Sequence, residues 1–61
     1  MQYDNIPKDP AMLLSFVNLK LRDEFSSFDE MCDAMSCDRN EIIEKLKMID
    51  YEYDEKTNQF V

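Results

Sequence analysis

Apolar residues recur at three- and four-residue steps in two neighbouring stretches, which is typical of amphipathic helices. In the first stretch they are Phe28, Met31, Cys32 and Met35, and in the second they are Ile42, Ile43, Leu46 and Ile49. Ser27 precedes Glu30 by three residues and Asp38 precedes Glu41 by three, which is the capping-box spacing at a helix N-terminus. Only residues 36–38 remain for the turn, so the pattern predicts two helices that cross steeply, as in a helix-turn-helix.

A third helix is predicted before these two, from Pro10 to about Glu24. Asp9 is suited to cap it, and Pro10 can occupy its first turn without losing a hydrogen bond. One face of this helix is predicted to pack on the two later helices. That face is formed by Leu13, Leu14, Val17, Leu21 and Phe25.

A second apolar stripe lies on nearly the opposite side of the same helix. Met12, Phe16 and Leu19 occupy positions i, i+4 and i+7. One interpretation is that an N-terminal arm and the C-terminal segment fold over these side chains. The other is that they form a dimer or partner surface, because exposed apolar patches on small proteins mark interaction sites.

The pattern changes to alternation after the last helix, which predicts a β-hairpin. If residues 55–58 form its loop, with Asn58 at positive φ, Tyr53 lies opposite Phe60. Tyr51 would then share a face with these two aromatic residues, and that face is predicted to pack on the helices.

The predicted fold class is therefore mainly α: a three-helix core that contains a helix-turn-helix, followed by a C-terminal hairpin, in winged-helix-like order. A single small domain is expected over residues 1–61. Within it, residues 1–9 form an extended arm anchored by Tyr3 and Ile6, residues 10–49 form the helices and residues 50–61 form the hairpin.

The chain is acidic, with seven Lys and Arg against fourteen Asp and Glu and a net charge of −7. Affinity for nucleic acids and anionic membranes depends on positive charge, so this balance argues against both as partners. The sequence contains no signal peptide and no apolar run long enough to span a bilayer, so a cytoplasmic location is expected. Cys32 is assigned to the core and Cys37 to the turn, and two thiols without His do not form a zinc site.

Composition also argues against an enzyme, because the chain contains no His and no Gly. General acid–base catalysis most often uses His, and phosphate-binding loops and nucleophile elbows depend on Gly. Asp50, Glu52 and Asp54 match the start of a calcium loop, but Glu55 and Val61 stand where Gly and a bidentate Glu are required. No cofactor, metal site or small-molecule substrate is predicted.

The predicted helix-turn-helix makes DNA binding the alternative function. Asn40, Lys45 and Lys47 on the last helix are the candidate DNA-facing residues. The acidic Glu41 and Glu44 share that surface and would face phosphates, which argues against this alternative.

Two segments, IPKDPAMLLSFVNLKLRDEFSS and IDYEYDEKTNQFV, resemble a family of very short bacterial proteins described as a domain of unknown function. The most distinctive pieces are PKDP at residues 7–10, MLLSFVN at residues 12–18 and the YEYDEKTNQFV ending. The resemblance implies a complete small protein and brings no activity, cofactor or site residue. The sequence favours a non-enzymatic cytoplasmic module that binds a protein partner, or itself, through Met12, Phe16 and Leu19.

Overall fold

The computed structural model describes residues 6–61 of the chain. Three helices are followed by a two-stranded antiparallel hairpin, which confirms the predicted fold class. In chain order the elements are α1 (Pro10–Asp23), α2 (Phe28–Met35), α3 (Arg39–Lys47), β1 (Tyr53–Asp54) and β2 (Gln59–Phe60).

Each helix begins at a side chain that accepts hydrogen bonds from main-chain N–H groups of the first turn. Asp9 and Asp38 do this for α1 and α3. Ser27 Oγ accepts from the Glu30 N–H at 3.1 Å and so caps α2. The Glu30 carboxylate accepts from the Ser26 N–H at 2.8 Å, one residue earlier than a capping box predicts. The predicted helix starts are therefore confirmed, and they follow from local chemistry.

The last helix ends two residues before the predicted Ile49. Asp50 takes a left-handed conformation, with φ 65°, and its N–H donates to the Lys47 carbonyl at 3.0 Å. The Tyr51 N–H donates to the Leu46 carbonyl at 2.9 Å. These two bonds form a Schellman motif, which satisfies the final carbonyls of the helix and turns the chain towards the hairpin.

The core is formed by the predicted apolar faces of the three helices together with one residue of β2. All of its members are less than a tenth exposed. They are Leu13, Val17, Leu21, Phe28, Met31, Cys32, Met35, Ile42, Leu46 and Phe60. Leu14 and Phe25, also predicted on the inner face of α1, are half-buried and pack against this core. The arm residue Ile6 does the same, whereas Tyr3, its other predicted anchor, lies outside the described residues.

The hairpin has the predicted register, with Tyr53 opposite Phe60. Both rings pack on Phe28 of α2, with centroids 5.4 and 5.0 Å from its ring, and the Phe28–Phe60 contact is edge-to-face. Such aromatic contacts attach a short hairpin that would be marginal alone. Tyr51, which was predicted to share this face, instead precedes β1 and lines a surface groove against α1.

A hydrogen-bond network centred on Asn58 joins the hairpin loop to the end of α1 and the start of α2. Its side-chain Nδ2 donates to the carbonyls of Leu21 and Phe25, each at 3.0 Å. Its Oδ1 accepts from the Tyr53 hydroxyl at 2.7 Å, and that hydroxyl in turn accepts from the Phe28 N–H at 3.2 Å. One loop residue therefore satisfies carbonyls near the end of α1 and supports the first N–H of α2.

Candidate interaction surface

We define the α1 outer face as Met12, Phe16 and Leu19. Met12 and Leu19 point away from the core, whereas Phe16 packs against it. Met12 is 63% exposed and Leu19 is 48% exposed, while Phe16 is half-buried. The Lys20 ammonium lies 5.6 Å from the centroid of the Phe16 ring, within the range of a cation–π contact. Two of the three predicted interface residues therefore present large apolar side chains at the surface.

The exposure of the α1 outer face follows from the contacts that the other sides of α1 make. Its inner side is buried in the core, and Asn18 on its flank bonds to the main chain of Phe60 in β2. The C-terminal segment thus packs on the Asn18 flank and leaves Met12 and Leu19 exposed. The C-terminal segment therefore does not cover Met12 or Leu19, and residues 1–5 of the arm, which that interpretation also invoked, lie outside the described residues.

A groove of about 740 Å³ separates α1 from the hairpin and continues the α1 outer face on one side. Leu14, Leu19 and Tyr51 supply apolar surface to it, and Arg22 supplies a positive charge. Among residues 6–61, no carboxylate lines this groove. Leu19 belongs to both the groove and the α1 outer face, so the two form one continuous surface along α1.

The surface of α3 does not concentrate positive charge. Of the candidate DNA-facing residues, Asn40 and Lys47 are exposed, but Lys45 is half-buried rather than outward-facing. Glu41 and Glu44 are both exposed on the same short helix. The charges offered by this helix to a phosphate backbone therefore oppose one another.

Arg39, at the start of α3, is also engaged within the protein. Its Nε lies 3.1 Å from the Asp29 carboxylate of α2, and its guanidinium lies 6.0 Å from the centroid of the Phe28 ring. These contacts hold the Arg39 guanidinium between α2 and α3, where it joins the two helices.

The two cysteines are free thiols in different environments. Cys32 is buried, whereas Cys37 is half-buried in the turn after α2. Burial, followed by the neighbouring Cys37 thiol, raises the pKa of Cys32 to about 12. Cys32 is thus a protonated core residue at neutral pH, as its position on the apolar stripe predicted.

No group of three or more potential metal ligands occurs within residues 6–61. Asp50, Glu52 and Asp54, which have partial calcium-loop spacing, therefore do not converge on a site. In the same described part of the chain, no helix is long and apolar enough to cross a membrane.

The comparison with known families decides where the chain belongs. Residues 7–60 match the family described as Domain of unknown function (DUF4250), which covers nearly the whole chain. The chain belongs to DUF4250. No curated protein and no solved structure matches it. The DUF4250 match spans all three helices and the hairpin, so the α1 outer face and the groove both lie within the family domain.

Two residues that build the surface of this DUF4250 domain were not predicted from its sequence. Asn18 fixes the hairpin against α1, and Tyr51 lines the groove. A signal for Asn18 was present, because it is a polar residue flanked by Val17 and Leu19 on an otherwise apolar helix segment. An amide in that position is well placed to bond an approaching main chain.

Proposed function

We propose that this DUF4250 chain is a non-enzymatic protein-interaction module that binds a protein partner through the α1 outer face. The observation that carries the proposal is the joint exposure of Met12 and Leu19 on one face of a helix. Exposed apolar side chains are common singly, but a contiguous set on a helix is typical of a docking surface.

The groove beside the α1 outer face supports binding in preference to catalysis. The described part of the chain contributes no carboxylate to it, and the sequence contains no His, so these residues do not supply the groups that most often transfer protons. Flexible Met side chains suit a surface that adapts to an apolar partner.

The charge of the chain favours a heterologous partner over a second copy. Each copy carries a net charge of −7, so two copies repel at low ionic strength. A basic partner would gain from the same charge, because complementary potentials speed encounter. The proposed partner is a protein of net positive charge whose contacting helix or loop is itself apolar, because Lys20 and Arg22 border this surface. A cytoplasmic location is part of the proposal and is supported by the two free thiols.

The test is affinity capture with the full chain and two variants. The double substitution Met12→Ser and Leu19→Ser removes the exposed apolar atoms of the α1 outer face without touching the core. Met48→Ser is the matched control, because Met48 is 75% exposed but lies just after α3, away from that face. Circular dichroism spectra establish that the variants remain folded.

Proteins retained by the wild type and by Met48→Ser, but lost by the double variant, are the expected result. The affinity of an identified partner should fall at least about tenfold, which corresponds to roughly 1.4 kcal/mol. Equal retention by the double variant would rule out this surface. Sedimentation of the wild type at high concentration distinguishes self-association, which the charge argument predicts to be weak.

Winged-helix DNA binding is the second candidate, and it is supported by the order of the elements and by exposed Asn40 and Lys47. Incubation of the full chain with a labelled duplex pool at low salt tests it. A shift that Lys47→Glu abolishes would favour DNA binding, and the absence of any shift would exclude it.

A further inference from the structure

The end of α2 brings the two cysteines together through a Schellman motif. Ser36 has a left-handed conformation, with φ 54°. The Cys37 N–H donates to the Cys32 carbonyl at 3.1 Å, and the Ser36 N–H donates to the Asp33 carbonyl at 3.4 Å. A contact between the side chains of the first and last residues of the hydrogen-bonded turn frequently accompanies this motif. Here those two residues are Cys32 and Cys37.

Both cysteines also lie at the same apolar cluster, Cys32 as a buried member and Cys37 as a half-buried residue packed against it. The nearby Cys37 contributes, after burial, to the raised pKa of Cys32. A disulfide requires the two Cα atoms within about 7 Å and side chains that point towards each other, and a main-chain hydrogen bond between the residues favours both.

The two thiols differ in their access to solvent. Cys32 is 7% exposed, whereas Cys37 lies in the turn and is half-buried. An external disulfide can therefore reach Cys37, while Cys32 can react only with a sulfur already held beside it. This asymmetry is what a reactive thiol and its resolving partner require.

We propose that Cys37 is a site of thiol–disulfide exchange and that Cys32 resolves it, closing an intramolecular Cys32–Cys37 disulfide across the end of α2. The substrate class is a small-molecule disulfide such as oxidised glutathione. This inference does not depend on the proposed partner surface, because the cysteines lie at the junction of α2 and α3.

The exchange balances in two steps. The Cys37 thiolate attacks one sulfur of oxidised glutathione, an S–S bond forms between protein and glutathione, and one glutathione thiolate leaves. Cys32 then gives up its proton and its sulfur attacks the Cys37 sulfur, so the protein disulfide forms and the second glutathione leaves as a thiolate. Because burial holds Cys32 protonated at neutral pH, this is the slower of the two steps. The two protons lost by the cysteines are taken up by the two glutathione thiolates, so glutathione disulfide is reduced as the protein is oxidised.

The experiment exposes the folded full chain to oxidised glutathione without denaturant and follows the intact mass. The wild type should lose two hydrogens, about 2 Da, after passing through a glutathione adduct. Tryptic mapping checks the bridge, because residues 23–39 form one peptide that contains both cysteines. The oxidised chain should keep the helical circular dichroism of the reduced chain.

Two single variants separate the roles. Cys32→Ala should stop at a stable glutathione adduct on Cys37, because no resolving thiol remains. Cys37→Ser should be modified at least about tenfold more slowly than the wild type, because only the buried thiol is left. A stable adduct on the wild type, disulfide-linked dimers, or bridge formation only in denaturant would each overturn the proposal. The mass change of the wild type tests the proposed disulfide even if a variant fails to fold.

Discussion

Asn18 and Phe60 exchange two hydrogen bonds, although they are 42 residues apart: the Phe60 N–H donates to Asn18 Oδ1 at 2.8 Å, and Asn18 Nδ2 donates to the Phe60 carbonyl at 3.1 Å. Glu52 and Val61 are bonded to each other through both main-chain groups, so the main-chain groups of the preceding residue, Phe60, point away from β1. The Asn18 amide therefore occupies the position of a neighbouring strand and closes the open edge of β2.

Replacement of Asn18 by Leu should destabilise the protein. The substitution removes both bonds and leaves the N–H and carbonyl of the buried Phe60 without partners, at a cost of about 1–3 kcal/mol. Urea unfolding followed by circular dichroism measures the change. Ser15→Ala, at an exposed position of the same helix, should change stability by less than about 0.5 kcal/mol. Equal stability of Asn18→Leu and the wild type would show that the paired amide contributes nothing.

Substitutions of Asn58 should separate its backbone conformation from its hydrogen bonds. Asn58 has φ 53° and makes three side-chain hydrogen bonds. Asn58→Gly keeps the left-handed conformation and should cost about 1–3 kcal/mol through the unpaired groups. Asn58→Ala should cost roughly a further 1 kcal/mol, because a Cβ is disfavoured in that conformation. If Asn58→Gly and Asn58→Ala have indistinguishable unfolding midpoints, the left-handed conformation of residue 58 does not contribute the additional cost.

Glycine introduced at the helix ends should stabilise the protein, since Ser36 and Asp50 adopt left-handed conformations in a chain without glycine. We expect Ser36→Gly to raise the free energy of unfolding by about 0.5–1 kcal/mol. Asp50→Gly should gain more, because it also removes a negative charge beside the negative end of α3.

The matched control for these glycine variants is Ala34→Gly. Ala34 lies inside α2 on its exposed side, so glycine there should destabilise by about 1 kcal/mol. Thermal unfolding of the three variants provides the measurement. If all three lower the melting temperature alike, the left-handed residues carry no strain.

Alkaline pH should destabilise the protein through Cys32. Burial raises the pKa of this thiol from 9.0 to about 12, so above pH 9 the unfolded chain loses a proton that the folded chain keeps. The Cys32 contribution is complete below pH 9 and falls as pH rises towards 12, by at most about 1.4 kcal/mol per pH unit. Urea unfolding between these pH values should show a steeper loss for the wild type than for Cys32→Ala. Parallel losses would remove Cys32 as the cause.

Much of the fold was predictable because its determinants are local. Asp9, Ser27 and Asp38 act on N–H groups two or three residues away, so the helix starts can be recognised from short-range spacing. The hairpin register followed from the loop length and from the tolerance of Asn58 for positive φ.

The contacts that join the elements could not be predicted in the same way. The bonds of Asn18 to Phe60, and of Asn58 to Leu21 and Phe25, link residues more than 30 positions apart. Periodicity says which side of a helix is apolar, but it does not say which main-chain groups another element will present to it. Tyr51 was misplaced for this reason, since the turn at Asp50 directs its side chain towards α1.

The α1 outer face shows what the sequence pattern could predict and what it could not. The spacing of Met12, Phe16 and Leu19 predicted apolar residues on the side opposite the core, and two of them are exposed. Whether another segment of the chain covered that side depended on where the hairpin packed, and the hairpin occupies the Asn18 flank instead.

Asn58 and Phe60 follow all three helices in the sequence, which constrains how the domain folds during synthesis. Asn58 supplies the hydrogen-bond donor for the Leu21 and Phe25 carbonyls at the end of α1, and Tyr53 accepts from the first N–H of α2. Phe60 completes the core. While the ribosome still holds the hairpin in its exit tunnel, the three helices lack these partners. The domain therefore completes its folding only after its hairpin emerges, as a single unit rather than helix by helix during translation.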